Sequence, residues 1–102
     1  MRILKLDRRF HGHGRWAAAL QFTKSETLPR WDQLRQPGFV SAAKYRERFA
    51  AYYGKATHWS DDGLHRLIKN ENWAWDCERR RIYFKDPSII TMIMLQLSAV
   101  ST

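Results

Sequence analysis

A single cysteine, Cys77, is the feature that most limits what this chain can fold into. Without a second cysteine there is no internal disulfide framework, so an apolar core must hold the fold together. The composition is sufficient for such a core, because 44% of the 102 residues are hydrophobic and 14% are aromatic. An independent core usually needs at least about fifty residues. We therefore expect a single domain over residues 1–102.

The sequence carries no signal of a membrane or secreted protein. Its longest strongly apolar run, residues 89–95, is far shorter than the roughly 20 residues of a membrane span. Residues 1–7 are charged and lack the apolar segment of a secretory signal. These observations predict no membrane association and a cytoplasmic location.

Alternating apolar residues predict strands in two regions. Residues 2–6 alternate weakly, and residues 15–23 alternate more clearly. In the second region the apolar side chains fall on one parity, as in a half-buried strand: Trp16, Ala18, Leu20 and Phe22. An alanine triplet there also suits a helix, but the alternation favours a strand. Further along, residues 73–76 and 80–85 predict a β-hairpin around a turn at residues 77–79. Alternate residues share a face in each of its strands: Trp73 and Trp75 in the first, Ile82 and Phe84 in the second.

Helical spacing predicts one long helix in the middle of the chain. After a turn at Pro37 and Gly38, Ser41 can cap a helix that ends at Gly54. Its apolar residues recur three or four positions apart: Ala42, Tyr45, Phe49, Tyr52 and Tyr53. A second, shorter helix is expected from Ser60 to about Asn70. Asp61 and Asp62 would occupy its first turn, where negative charge is favourable. Three apolar residues would face inward: Leu64, Leu67 and Ile68.

The sequence of the tail, residues 89–97, is compatible with either a helix or a strand. Asp86 and Pro87 could start a helix, whereas the β-branched residues favour a strand with one apolar side: Thr91, Ile93, Leu95 and Leu97. We interpret the tail as a strand. The sum is an α+β fold, an antiparallel sheet of about four strands with two helices packed on it.

The charge is strongly unbalanced, with 18 Lys and Arg against 10 Asp and Glu and a net charge of +8. Such an excess predicts salt-sensitive association with something acidic, either a nucleic acid or an acidic protein surface. Basicity alone does not choose between these partners, because arginine is enriched at both kinds of interface.

Two short segments concentrate the candidate binding residues. In residues 8–16, arginines able to grip phosphate stand beside aromatic rings able to stack on a base: Arg8, Arg9, Phe10, Arg15 and Trp16. The alternative is a surface loop that Phe10 and Trp16 anchor to the core. At the predicted hairpin turn a second cluster follows: Arg79, Arg80 and Arg81. Neighbouring residues of a strand point to opposite faces, so at most two of these three can share a surface.

Five tryptophans divide by their predicted positions. Three lie on predicted strands and are expected in the core: Trp16, Trp73 and Trp75. Trp31 and Trp59 fall in predicted connections, so we expect them to be partly exposed and able to contribute to a contact surface.

Neither a metal site nor an active site is predicted. The possible zinc ligands of the chain are His11, His13, His58, His65 and Cys77. They lack the close Cys and His spacing of structural zinc sites. The nucleotide-binding and hydrolase motifs are missing from the sequence. Glu71 and Asp76 could form a nuclease-like active site with His58 or His65, but nothing in the spacing of these residues requires it. We therefore expect no cofactor and no enzymatic activity.

Two segments resemble small accessory proteins of tailed bacteriophages. These are residues 8–16 (RRFHGHGRW), and residues 73–76 (WAWD) followed by residues 80–86 (RRIYFKD) and a closing apolar segment. The resemblance implies a cytoplasmic protein made in an infected bacterium that binds host or phage machinery. It transfers no catalytic residue.

Two functions therefore stand as hypotheses. The first is a small, basic, non-enzymatic protein that contacts nucleic acid through an arginine and aromatic surface. The second is an inhibitor or adaptor that docks on an acidic surface of a host protein complex, with Trp31 or Trp59 as anchors.

Overall fold

One antiparallel sheet of six strands forms the centre of the computed structural model, which describes residues 1–10, 14–61 and 66–101. The spatial order of the strands is β1-β2-β6-β5-β4-β3. Their bounds are β1 (Arg2–Phe10), β2 (Arg15–Gln21), β3 (His58–Asp61), β4 (Arg66–Lys69), β5 (Trp73–Asp76) and β6 (Arg81–Phe84).

Four helices accompany the sheet in the described chain: α1 (Lys24–Thr27), α2 (Trp31–Leu34), α3 (Ala42–Tyr53) and α4 (Ile89–Ser101). The predicted α+β class and the antiparallel sheet are confirmed. The predicted counts of about four strands and two helices are too low, because two segments adopt a different structure from the one expected and α1 and α2 were not predicted.

The main core lies between one face of the sheet and the helices α3 and α4. Its buried residues come from β2 and the residue after it, from β5 and β6, and from both helices: Ala18, Leu20, Phe22, Ala42, Tyr45, Phe49, Trp73, Trp75, Ile82, Phe84, Ile89, Ile90, Ile93 and Leu97. The hairpin of β5 and β6 is confirmed, and all four of its predicted face residues belong to this core. Burial of these apolar side chains supplies most of the driving force for folding.

A second, smaller cluster occupies the opposite face of the sheet. Its buried members are Trp16, Ala19, Ala74 and Tyr83, with Leu4, Leu6 and Leu67 packed against them. All of these residues lie on strands, and every buried helical residue of the described chain belongs to the main core instead. Within the described residues no helical side chain is buried against this face of the sheet, and we call it the open face.

Strand β2 differs from its predicted half-buried pattern. Ala18, Leu20 and Phe22 face the main core as expected, but the Trp16 ring packs on Tyr83 in the second cluster. Ala19, of opposite parity, is also fully buried. The strand therefore contributes buried residues to both faces of the sheet, in the main core and in the second cluster.

Helix α3 matches its predicted bounds. It ends at Gly54, whose φ of 99° lies in the left-handed region that glycine tolerates. Ser41 occupies the N-cap position, although its side chain makes no capping hydrogen bond. Tyr52 departs from the predicted apolar stripe, because its side chain is 54% exposed.

The prediction of a second helix after Trp59 is wrong. Residues 58–61 and 66–69 are the paired strands β3 and β4, and β4 pairs in turn with β5. The neighbours Leu67 and Ile68 pack on opposite faces of the sheet, in the second cluster and the main core. Only a strand places consecutive apolar residues in this way. Asp62 and Leu64 lie outside the described residues.

The tail forms helix α4, so its prediction as a strand is also wrong. Its buried residues follow a helical stripe one, three and four positions apart: Ile89, Ile90, Ile93 and Leu97. Before the helix, an Asp86 carboxylate oxygen accepts hydrogen bonds from the Ser88 hydroxyl at 2.6 Å and the Ser88 N–H at 3.0 Å. These bonds lower the pKa of Asp86. Packing of the stripe against the sheet outweighs the β-branched propensity.

Paired substitutions in α4 distinguish the two readings of the tail. Ile93 is fully buried and Leu95 is 66% exposed, whereas the strand prediction placed both on one apolar side. We expect Ile93→Ala to lower the free energy of unfolding by about 2–5 kcal/mol. Leu95→Ala should change it by less than about 0.5 kcal/mol. Urea denaturation followed by circular dichroism measures both, and equal losses would contradict the helix.

Candidate nucleic-acid interface

Two rows of cross-strand neighbours run across all six strands on the open face. Residues directly opposite each other in an antiparallel sheet point to the same side. The first row is Arg2, Gln21, Arg81, Asp76, Leu67 and Ser60. The second is Leu4, Ala19, Tyr83, Ala74, Lys69 and His58. The register therefore brings together residues that are far apart in the sequence.

The margins of the open face carry five cations: Arg2, Arg79, Arg81, Lys69 and Lys85. Lys85 follows β6, and its ammonium lies 5.7 Å from the centre of the Trp16 ring. Interaction with the Tyr83 hydroxyl raises the pKa of Arg79. The carboxylate of the first row, Asp76, is only 1% exposed. The face thus presents these cations to solvent, together with the exposed carboxylate of Glu78 beside Arg79.

Two stacked aromatic rings form the centre of the open face. The centroids of the Trp16 and Tyr83 rings are 6.2 Å apart, with an angle of 29° between the ring planes. Ala19 and Ala74, the cross-strand neighbours of Tyr83, are fully buried in the same cluster. Trp16 is 1% exposed, so its ring is covered and not accessible for stacking on a base.

Hydrogen bonds from Gln21 fix the turn that carries Arg79, Arg80 and Arg81. The Gln21 side-chain amide donates to the Arg79 carbonyl at 2.9 Å, and its oxygen accepts a hydrogen bond from the Arg81 guanidinium. The buried carboxylate of Asp76 accepts a hydrogen bond from the Arg79 N–H at 3.1 Å. The turn is thus held from two sides. These contacts order the backbone of the cluster before any ligand binds.

The other arginine cluster lies on the paired ends of β1 and β2. Arg9 lies opposite Trp16 and Phe10 opposite Arg15. Arg8, Arg9 and Arg15 are exposed, and Phe10 is 67% exposed. The segment predicted as a loop is therefore mostly strand. Residues 11–13, including His11 and His13, lie outside the described residues.

The structure places the two arginine clusters at opposite ends of the strands. Gln21 pairs with Arg81 at one end of β2, and Arg15 begins β2 at the other end. Six residues of strand separate the two positions by about 20 Å. Lys85 lies between them over Trp16, so the basic surface is elongated rather than a single compact patch.

Trp31 and Trp59 are exposed as predicted, at 69% and 71%. They lie on α2 and on the edge strand β3 rather than in connections. The Arg35 guanidinium lies 4.7 Å from the centre of the Trp31 ring. Neither tryptophan belongs to the two rows of the open face.

The candidate zinc ligands remain apart where the structure describes them. His58 shares a hydrogen bond of 2.9 Å with the Thr57 hydroxyl, and Cys77 is exposed. Within the described residues no group of three or more His, Cys, Asp and Glu side chains could hold a metal ion. His65 lies outside that part of the chain. No helix in it combines the length and apolar character needed to cross a membrane.

Four residues of this surface were not singled out from the sequence: Arg2, Gln21, Lys69 and Lys85. Lys85 has a signal in the sequence, since it shares the parity of Arg81 and Tyr83 along β6. Assigning the other three residues to this surface requires the register between strands, which the local sequence pattern does not specify.

Comparisons with protein-family models, curated proteins and solved structures give no significant match. The resemblance to bacteriophage accessory proteins therefore stays a prediction.

Removing the Gln21 side chain tests whether it holds the arginine turn. We expect Gln21→Ala to lower the free energy of unfolding by about 1–2 kcal/mol, because at least two hydrogen bonds are lost. Exchange of the Phe22 amide proton, which bonds to the Arg80 carbonyl at 2.9 Å, should accelerate. The control Gln36→Ala removes the same group from an exposed position. Equal stability losses in the two variants would contradict the assignment.

Proposed function

We propose that this protein is a small, basic, non-enzymatic binding protein that holds nucleic acid along its open face. The observation that carries the proposal is the coincidence of two features on one side of the sheet. That side has no helical cover in the described chain, and its margins hold five cations around a buried aromatic centre. The phage resemblance favours a phage-encoded protein acting in the host cytoplasm.

The charge balance supports an acidic ligand for this surface. Ten carboxylates can neutralise at most ten of the 18 cationic side chains one to one, which leaves an excess of 18 − 10 = 8. Three carboxylates form ion pairs around the helices: Glu26 with the N-terminal amine of Met1, Asp32 with Arg30, and Glu47 with Lys44. These three do not neutralise the open face. A polyanion that replaces small counterions there gains affinity from their release.

Contacts to phosphate suit the open face better than readout of bases. Its two central rings are buried, so the face itself offers neither Trp16 nor Tyr83 as a stacking platform. Arginine pairs with phosphate through two parallel hydrogen bonds, and Lys binds it as a point charge. Phosphate contacts position a nucleic acid without reading its sequence. Binding by the face alone should therefore depend weakly on sequence.

Salt dependence of binding tests the proposal. We expect retention on labelled DNA or RNA at about 50 mM salt, with log affinity falling linearly against log salt. The double variant Arg2→Gln/Lys85→Gln should lower the magnitude of that slope by about 0.7–0.9 for each charge that contacts a phosphate. Fluorescence anisotropy between about 50 and 200 mM salt measures the slope.

A matched double variant controls for net charge. Arg30→Gln/Lys44→Gln removes two charges from exposed ion pairs near α2 and on α3. Such pairs contribute little to stability, and the slope should stay at the wild-type value. If both double variants reduce the slope equally, the ligand is not held on the open face. Lack of retention on both DNA and RNA at about 50 mM salt would overturn the proposal.

The second candidate function is docking on an acidic surface of a host protein complex. It is favoured by exposed apolar side chains around α2: Leu28 at 73%, Trp31 at 69% and Leu34 at 53%. Neither α1 nor α2 contributes a buried residue to the core. Tryptophan and arginine are typical of binding hot spots, and Arg35 stacks on Trp31 here. A host protein that stays bound after nuclease treatment, and is lost with Trp31→Ala, would support this candidate.

A further inference from the structure

The outer side of β1 is a free edge of the sheet. Strand β1 stands at one end of the order of six strands, and no strand of the described chain pairs with its outer side. A free edge presents N–H and C=O groups that a further strand can bind. The hydrogen bonds of the neighbouring strands show which residues of β1 present these groups.

The backbone groups of β2 alternate between its two neighbours. The Phe22 N–H, just after β2, donates to the Arg80 carbonyl at 2.9 Å, on the side of β6. In an antiparallel sheet, consecutive residues of a strand turn their N–H and C=O groups to opposite sides. The N–H and C=O groups of Gln21 and Ala19 therefore face β1.

Two residues of β1 turn their backbone polar groups to the free edge. These are Ile3 and Lys5, because Arg2 and Leu4 lie opposite the two β2 residues that face β1. The side chains of Ile3 and Lys5 lie on the side of the main core, since their partners on β2 belong to that core. Both side chains are exposed, Ile3 by 49%. The edge thus offers an apolar and a cationic side chain on the opposite side of the sheet from the open face.

A cavity of about 380 Å³ lies beside this edge. Its lining includes Ile3, Lys5, Ala17, Ala18 and Pro87, most of them apolar. A peptide that adds to a sheet edge gains affinity from main-chain hydrogen bonds and specificity from pockets for alternate side chains. The edge of β1 combines unpaired main-chain groups with such a pocket.

The charge of β1 decides what kind of strand fits. The strand carries four cations and one carboxylate: Arg2, Lys5, Arg8, Arg9 and Asp7. A second copy pairing through β1 would place two such strands side by side, and like charges across a strand pair are destabilising. A bulge with Asp7 and Arg8 at φ of 50° and 60° also interrupts the regular pairing. Lysines and bulges guard an edge against strands of the same kind, whereas a carboxylate turns Lys5 into a contact.

We propose that an extended acidic peptide segment of a protein partner binds β1 as a seventh, antiparallel strand. Its main chain bonds to Ile3 and Lys5, a carboxylate lies beside Lys5, and an apolar side chain opposite Ile3 enters the cavity. Every paired couple of strands in this sheet is antiparallel, and such pairs are slightly more stable per residue than parallel ones. This site goes beyond the proposed function, because it takes a peptide and lies away from the open face.

A capped peptide, Thr-Thr-Glu-Thr-Val-Glu-Thr, is the probe for this edge. Antiparallel to β1, its first Glu lies opposite Lys5, its Val opposite Ile3 and its second Glu opposite Arg2. We expect it to bind about tenfold more tightly than a copy with Lys in place of both Glu residues. NMR titration of isotope-labelled protein measures both affinities.

Methylated peptides separate strand addition from simple charge attraction. Methylating the amide nitrogens of the first Glu and the Val removes the two donors to β1 and should weaken binding by about tenfold or more. Methylating the nitrogens of the Thr residues that precede them is the matched control. Those N–H groups face away from β1, so the control peptide should bind like the unmodified one.

Amide exchange and charge variants test the same edge from the protein side. In the free protein the amide protons of Ile3 and Lys5 should exchange faster than that of Leu4, and binding of the acidic peptide should protect them. Lys5→Glu should lose the preference for the acidic peptide. Lys55→Glu, which reverses an exposed charge between α3 and β3, should keep it.

Several results would overturn the proposal. These are failure of the acidic peptide to bind, equal binding of the lysine copy, equal weakening by the two pairs of methyl groups, and loss of the preference in Lys55→Glu. Slow exchange of the Ile3 and Lys5 amide protons in the free protein would also overturn it, and a dimer in sedimentation would then identify a second copy as the occupant. None of these results alters the expected salt-dependent binding of nucleic acid to the open face.

Discussion

The stacked rings of Trp16 and Tyr83 allow this sheet to be covered by helices on one side only. A sheet with an apolar centre must shield both faces from water. Helices α3 and α4 shield the first face, and on the second the two rings pack in one cluster with Ala19 and Ala74. Each such ring buries about 150–250 Å². Because no helix of the described residues buries side chains on the second face, its margins can carry charge.

Local sequence patterns were sufficient for the elements whose alternation or helical spacing is clear and whose ends carry a turn signal. Helix α3 ends at Gly54, and the strands of the β5 and β6 hairpin are joined by the turn after Asp76. In these elements the spacing of the side chains and the turn chemistry favour the same structure. Their bounds could therefore be predicted to within a residue or two.

Elements that depend on distant partners could not be predicted in this way. The adjacent pair Leu67 and Ile68 suits a helix stripe, and only pairing with β5 shows that the two residues serve opposite faces. In α4 the β-branched residues favour a strand locally, but docking on the sheet decides in favour of the helix. Prediction of the basic surface from the sequence is limited for the same reason. Its first row joins Arg2 to Arg81, a pairing set by register across β2.

The two fully buried alanines restrict how this protein can diverge in evolution. Ala19 and Ala74 have no exposed surface and pack in one cluster with the aromatic rings. A larger side chain at either position would lift the rings and strain a packed layer. Homologues that keep this architecture should therefore hold small residues at both positions. Variation in ligand preference would then accumulate around the perimeter, where side chains can change without disturbing the packing.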